Sequence, residues 1–106
     1  MAETDVFHAL ANPVRRRLLE SLRQGPRAAG ELAADFELSR PAVSEHLAVL
    51  RNARLVREEP RGRHRYYHLE PAPLAEVSDW LHPFERYWRA RLRDLGALLN
   101  EEHPAP

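Results

Sequence analysis

SRPAVSEHLAVLRN, residues 39–52, decides how the rest of the chain is read. Ser39 is a good N-cap residue, because its hydroxyl can accept from a free N–H of the first turn. Pro41 falls in that first turn, where a backbone donor would have no intrahelical acceptor. Val43, Leu47 and Leu50 recur at i, i+4 and i+7, which places them on one buried stripe. The opposite face carries Pro41, Ser44, Glu45, Ala48 and Asn52, most of them short. A helix that meets only water more often displays long Lys, Arg and Glu side chains. Short ones let the helix approach a large partner closely. The pattern alone equally fits an ordinary packed helix, so the flanking segments have to decide.

Upstream, the spacing predicts three short helices. Thr4 to Ala11 places Val6, Phe7 and Leu10 on one side. Asn12-Pro13 restarts the helix, Asn as cap and Pro at the first helical position. Val14, Leu18 and Leu22, with Leu19 beside them, form its buried stripe, and Gly25-Pro26 ends it. A third helix runs from Ala28 or Ala29 to about Asp35, with Leu32, Ala33 and Phe36 inward. Glu37-Leu38 is a tight link into the central helix, so the pair reads as a helix-turn-helix.

Downstream the period changes. Residues 55–59 and 65–69 are short and carry β-favouring Val56, Tyr66 and Tyr67. Pro60-Arg61-Gly62-Arg63-His64 between them reads as a turn, giving a β-hairpin with a basic tip. Pro60 suits only an edge strand. A helix is expected from Pro71 through roughly Leu81, broken or kinked at Pro83. A last helix then runs from Phe84 to about Glu101. Along it Leu81, Phe84, Trp88, Leu92, Leu95 and Leu99 recur every three or four residues, with Tyr87 and Leu98 alongside. That stripe is too long for so small a core to cover. Residues from His103 are expected to fray, leaving 1–103 as one domain and 104–106 as a disordered tail.

At 106 residues the chain makes one small domain, for which a second chain would add useful core. Asp5 and His8 interrupt any apolar run near Met1, so no secretory signal and a cytoplasmic location are expected. There is no cysteine, which excludes disulfides, thiolate metal sites and cysteine nucleophiles. All basic side chains other than histidine are arginine, and the formal net charge is zero. The distribution matters more than this total. Arg54, Arg57, Arg61, Arg63 and Arg65 crowd one window with His64 and His68, opposed only by Glu58 and Glu59. Arg15, Arg16 and Arg17 form a second cluster.

A helix-turn-helix followed by a basic hairpin is the layout of a winged helix, mainly α with a small β-hairpin. One helix can enter the major groove while arginines on the hairpin meet phosphates or the minor groove. The competing reading of Arg61, Arg63 and Arg65 is a solvated hairpin tip, and the neighbouring helix-turn-helix weighs against it. Ser39, Arg40, Pro41, Ser44 and Glu45 are expected to face DNA. Arg61, Arg63 and Arg65 are expected to hold its backbone or minor groove, with Arg15, Arg16 and Arg17 adding phosphate contacts.

The stretches FHALANPVRRRLLESL, GELAADFELSRPAVSEHLAVLRNARLV and REEPRGRHRYYHLEP together resemble the arsenical-resistance-repressor (ArsR) family of bacterial winged-helix transcription factors, over nearly the whole length. The aromatic tail WLHPFERYWRARLRDLGALL is similar to one branch of that family. The resemblance implies a homodimer built from the first and last helices, acting as a repressor on a short palindromic operator. Glu37 and Arg54 stand where that family commonly has glycine, and Ala28 where it has a Ser or Thr cap. If either backbone site is left-handed, its side chain costs on the order of 1 kcal/mol.

Many such relatives sense metal through a cysteine pair in the third helix, which GELAADF cannot supply. Another family site uses Asp and His on the last helices. Asp79 and His82 are similar to it, but the helix beyond Pro83 has no further His before His103. No cofactor is therefore expected. The competing expectation is a nickel or zinc sensor using histidines, with His82, His8 and His103 as first candidates and His64 and His68 in the hairpin. His46 borders the buried stripe and reads as a packing residue.

Trp80, Phe84, Tyr87 and Trp88 could line an effector pocket, but a dimer seam explains them more simply, since aromatics are enriched in interface cores. That seam is expected to comprise Val6, Phe7, Leu10, Phe84, Tyr87, Trp88, Leu92, Leu95 and Leu99. No enzyme is expected: Ser39, Ser44 and His46 lie close in sequence, but no carboxylate is placed to orient the histidine. No apolar run is long enough to span a bilayer, so no membrane partner is expected. The expected function is thus a dimeric regulator on duplex DNA. The alternative of another class is a winged-helix module that binds protein through the aromatic tail without DNA, a reading kept open by the zero net charge.

Overall fold

Polar caps set the helix starts. In the computed structural model, which describes residues 5–102 and side chains as far as Leu99, Asp5 opens α1 (Val6–Leu10) by accepting from the Phe7 N–H at 2.8 Å. The expected start at Thr4 and the tail from His103 lie outside the described residues. Asn12 opens α2 (Pro13–Ser21), its side-chain oxygen accepting from the N–H groups of Val14 and Arg15. A 3-10 turn over Leu22–Gln24 follows and stops at Gly25. Then come β1 (Arg27–Ala28) and α3 (Ala29–Asp35). Ala28 offers no cap oxygen to α3; Glu31 supplies half a capping box, its carboxylate accepting from the Ala28 N–H at 3.1 Å. Ser39 caps α4 (Arg40–Asn52) as expected, accepting from Ala42 at 3.2 Å.

Both α3 and α4 end in the same way. Glu37 (φ 53°) and Arg54 (φ 63°) are left-handed. The next residue's N–H reaches back five positions, Leu38 to the Ala33 carbonyl at 3.0 Å and Leu55 to the Leu50 carbonyl at 2.9 Å. This is the Schellman closure, which normally puts glycine at the left-handed site. A side chain there costs roughly 1 kcal/mol. The closures persist because Leu50 and Leu55 are fully buried, and Leu38 packs against the same core.

Leu18, Leu32, Val43, Leu47, Leu50 and Leu55 are the largest fully enclosed side chains and tie α2, α3 and α4 into one core. Burial of each contributes about 1.5–3 kcal/mol. β2 (Val56–Arg61) and β3 (His64–Leu69) form the hairpin, longer than the sequence suggests, with a two-residue tip at Gly62-Arg63. Gly62 at φ 60° meets the need of such a tip for a positive φ at its first position. The strand order β1-β3-β2 leaves β2 at an edge, which accommodates Pro60. β1 is the unexpected element: Arg27 and Ala28 pair with Tyr67 and Tyr66, so the sheet has three strands and fastens the start of α3 to the hairpin.

The last helix corrects the reading of two helices. α5 (Leu74–Glu102) is continuous, with Pro83 inside it. Proline removes one backbone hydrogen bond, and the turns on both sides carry the helix past it. Leu74 and Val77 pack on the core, and Trp80 meets Phe7 edge-on at 5.9 Å and Phe84 at 5.1 Å. Beyond this, α5 leaves its own domain. The molecule measures 61 × 35 × 20 Å with a radius of gyration of 18.8 Å, against about 13 Å for a compact domain of this length.

Candidate nucleic-acid interface

The candidate surface forms where α4 faces the hairpin. Arg40, Ser44, Ala48 and Arg51 follow one another by four, four and three residues, a single helical stripe. They line one wall of a cleft of about 790 Å³, closed on the other side by Arg63, His64, Arg65 and Tyr67 of the hairpin. The floor is the start of α3, where Gly30 lies beneath Arg40; a Cβ on Gly30 would sit 3.4 Å from the Arg40 guanidinium. Ser39, Arg40, Pro41, Ser44 and Glu45 are all exposed, and among the described residues none covers these positions expected to face DNA.

The hairpin arginines do not act as a group. Strand register sets Arg61 opposite His64 and Arg65 opposite Pro60, so the two arginines leave opposite faces of the ribbon. Arg65 turns into the cleft and donates to Glu58 at 2.5 Å. Arg61 lies outside the cleft lining; it donates to Glu59 at 2.7 Å and stacks over Tyr66 at 4.7 Å. Arg63 is exposed at the tip, with no hydrogen bond or ion pair to another described residue. Glu59 also accepts from or shares a proton with His68 Nε2 at 2.9 Å. That bond, with a smaller effect of Arg61, holds the Glu59 carboxyl below its usual range despite desolvation.

Some of the expected site residues are engaged within the chain. The guanidinium groups of Arg15 and Arg16, expected at phosphate, close the C-terminus of α1. Arg15 donates to the Ala9 and His8 carbonyls at 2.7 and 3.0 Å, and Arg16 to the Leu10 carbonyl at 2.6 Å. Last-turn carbonyls lack intrahelical donors, and a cation there also suits the helix dipole. Val6, assigned to the dimer seam, is only 4% exposed and belongs to the core of its own domain. Phe7 and Leu10 are half-buried. Phe84, Tyr87, Trp88, Leu92, Leu95 and Leu99 are all exposed on α5, as are Trp80 and Leu98.

Sequence reasoning missed Arg51, Glu58 and Tyr67. Arg51 could have been found, since it continues the spacing of Ser44 and Ala48. Glu58 depended on the strand register. Its carboxylate accepts from Arg51 at 2.6 Å, from Arg65, and from the Tyr67 hydroxyl at 3.3 Å. Burial, then the charge and hydrogen bond of Glu58, push the Tyr67 phenol above its ordinary pKa. Of the histidines expected as metal ligands, His103 lies outside the described residues. His82 is exposed, with its ring 4.0 Å from Glu85, and among the described residues no three His, Asp or Glu side chains gather as a metal site would require. Also among the described residues, no helix is long and apolar enough to cross a membrane.

Comparison with known proteins agrees with this geometry. Residues 12–58, from the cap of α2 into β2, match the model of the bacterial regulatory protein, arsR family. The chain is 45% identical to the HTH-type transcriptional regulator Rv2034 of Mycobacterium tuberculosis, over 91% of this chain and 87% of that protein. It is 34% identical to the transcriptional repressor SdpR of Bacillus subtilis, over 73% of this chain and 86% of the repressor. The crystal structure of an ArsR family transcriptional regulator, RHA00566, superimposes with a TM-score of 0.69 at 34% identity, covering 78% of this chain and 86% of the other. These relatives are regulators of transcription, not enzymes, and they do not favour a module that has lost DNA binding. With helix-turn-helix, wing and sequence in agreement, the chain belongs to the arsR family of bacterial regulatory proteins.

Proposed function

We propose that this chain is a homodimeric repressor that reads an inverted-repeat operator with α4 and grips the flanking phosphates with the hairpin. The observation that carries it is the open stripe Arg40, Ser44 and Ala48, with Arg51 beyond them held by Glu58, facing Arg63 and Arg65 across one cleft. Small side chains at Ser44 and Ala48 let a helix lie deep in the major groove, where base edges are distinguishable. Arg63 at the tip is the hairpin cation best placed for a phosphate. Similarity to a named transcriptional repressor supports the sign of regulation. The uncovered stripe on α5 supports pairing with a second copy, and a DNA partner supports a cytoplasmic location.

Folding and DNA reading by this set of residues require no metal. Selection from a random duplex library with purified protein tests the proposal. It should return an inverted repeat with half-site centres about one turn, roughly 34–36 Å, apart, with and without nickel or zinc. Enrichment of a lone half-site would contradict the dimer. No enrichment would contradict sequence reading, and enrichment only with metal would restore the sensor reading.

A further inference from the structure

The hairpin and the recognition helix are joined by one carboxylate. Glu58 lies on β2, where its side chain is only 16% exposed, and it is held from three directions. Oε2 accepts from Arg51 Nη1 at 2.6 Å, in the last turn of α4, and from the Tyr67 hydroxyl at 3.3 Å. Oε1 accepts from Arg65 Nη1 at 2.5 Å on β3. Tyr67 is the cross-strand partner of Glu58 and is buried in the core. Arg51 and Arg65 are respectively 48% and 66% exposed, outside the carboxylate they share. The anion therefore lies beneath its two cations, where an incoming phosphate would meet the guanidinium groups first.

We propose that Glu58 is a positioning residue that fixes the angle between the wing and the recognition helix, so that both meet one DNA site at the same time. The assignment rests on the reading that α4 and the hairpin share a DNA site. Two charge-assisted bonds and one further hydrogen bond are directional, and their donors sit on separate elements, α4 and β3. Without the carboxylate, Arg51 and Arg65 would repel each other across the cleft, and the hairpin would lose this charged link to α4. Operator affinity would suffer, because it requires base and phosphate contacts in register. Attraction to any duplex would not, because it depends on total charge.

Anisotropy titrations test this with two duplexes of equal length, one carrying the selected operator and one scrambled. Glu58→Gln should weaken operator binding about ten-fold while binding of the scrambled duplex is unchanged or tighter, since an anion has been removed. Arg51→Gln should also lower the ratio of the two affinities, and the double variant should lower it no further than the worse single variant. A direct base contact by Arg51 would instead survive the loss of Glu58, and the double variant would lose both contributions. Should Glu58→Gln not fold by circular dichroism, Glu58→Asp keeps the charge on a shorter arm and serves in the same comparison. Equal changes on both duplexes, or additive losses in the double variant, would overturn the assignment. A wild-type protein that tells no duplex from another would overturn the DNA reading and this assignment with it.

Discussion

Replacing Trp88 with alanine examines the pairing of α5 with a second copy. Trp88 is 39% exposed, the least open of the large apolar side chains that α5 leaves exposed, whereas Leu92 is 62% exposed. A tryptophan has about 250 Å² to bury, so roughly 100 Å² of Trp88 remains for a partner. At about 25 cal/mol per Å² this contributes about 2.5 kcal/mol per protomer. Two-fold symmetry counts the loss twice, giving about 5 kcal/mol and a rise in the dimer Kd of roughly 10³–10⁴-fold. Sedimentation across nanomolar to micromolar concentrations measures that Kd directly, with circular dichroism to confirm that the monomer fold survives. An unchanged Kd would place the seam elsewhere than Trp88. A well-folded wild-type monomer at low micromolar concentration would refute the pairing, leaving the exposed leucines of α5 to another partner.

On the hairpin, Arg63→Ala should lower the salt slope of DNA binding by about one per protomer. Arg61→Ala should lower it less, because Arg61 is engaged with Glu59 and Tyr66; equal effects measured across a salt series would contradict the division of the ribbon faces. Glu37→Gly should stabilise the fold by up to about 1 kcal/mol in urea unfolding, because the left-handed residue loses its side chain; destabilisation would mean that the Glu37 side chain compensates the strain. Tyr67 should ionise above the ordinary tyrosine value in an ultraviolet titration, because burial and the Glu58 carboxylate disfavour its phenolate. Its folded pKa is raised, so its contribution to stability is present below the ordinary tyrosine value and is lost as pH rises through the raised one. Glu58→Gln should bring that step down.

Much of this fold is legible because it rests on local chemistry. Asn12-Pro13 and Ser39 cap helices in any context, and the spacing of Val43, Leu47 and Leu50 is the core face of α4. The left-handed sites at Glu37 and Arg54 were locatable only through the family resemblance, since neither residue type signals a positive φ. β1 was not legible: Arg27 and Ala28 are too few to show alternation, and their strand exists only because Tyr66 and Tyr67 lie beside them. Pro83 misled because the local rule omits the turns that hold α5 on both sides. Arg61, Arg63 and Arg65 share a parity in sequence, but the two-residue tip resets it, so register rather than spacing decides which arginine enters the cleft. Arg15 and Arg16 cap α1 only because of how α1 meets α2, an angle that no local pattern carries.

The central claim is that α4 reads sequence through its small outward face, and Ser44→Arg tests it most directly. Ser44 is exposed in the middle of the cleft wall, so the fold should be unaffected by the larger side chain. Library selection with the variant beside wild type should return a different preferred sequence, or none, because each major-groove contact supplies about 1–3 kcal/mol of discrimination. The same preferred operator, recovered with the same affinity, would mean that α4 is not the reader.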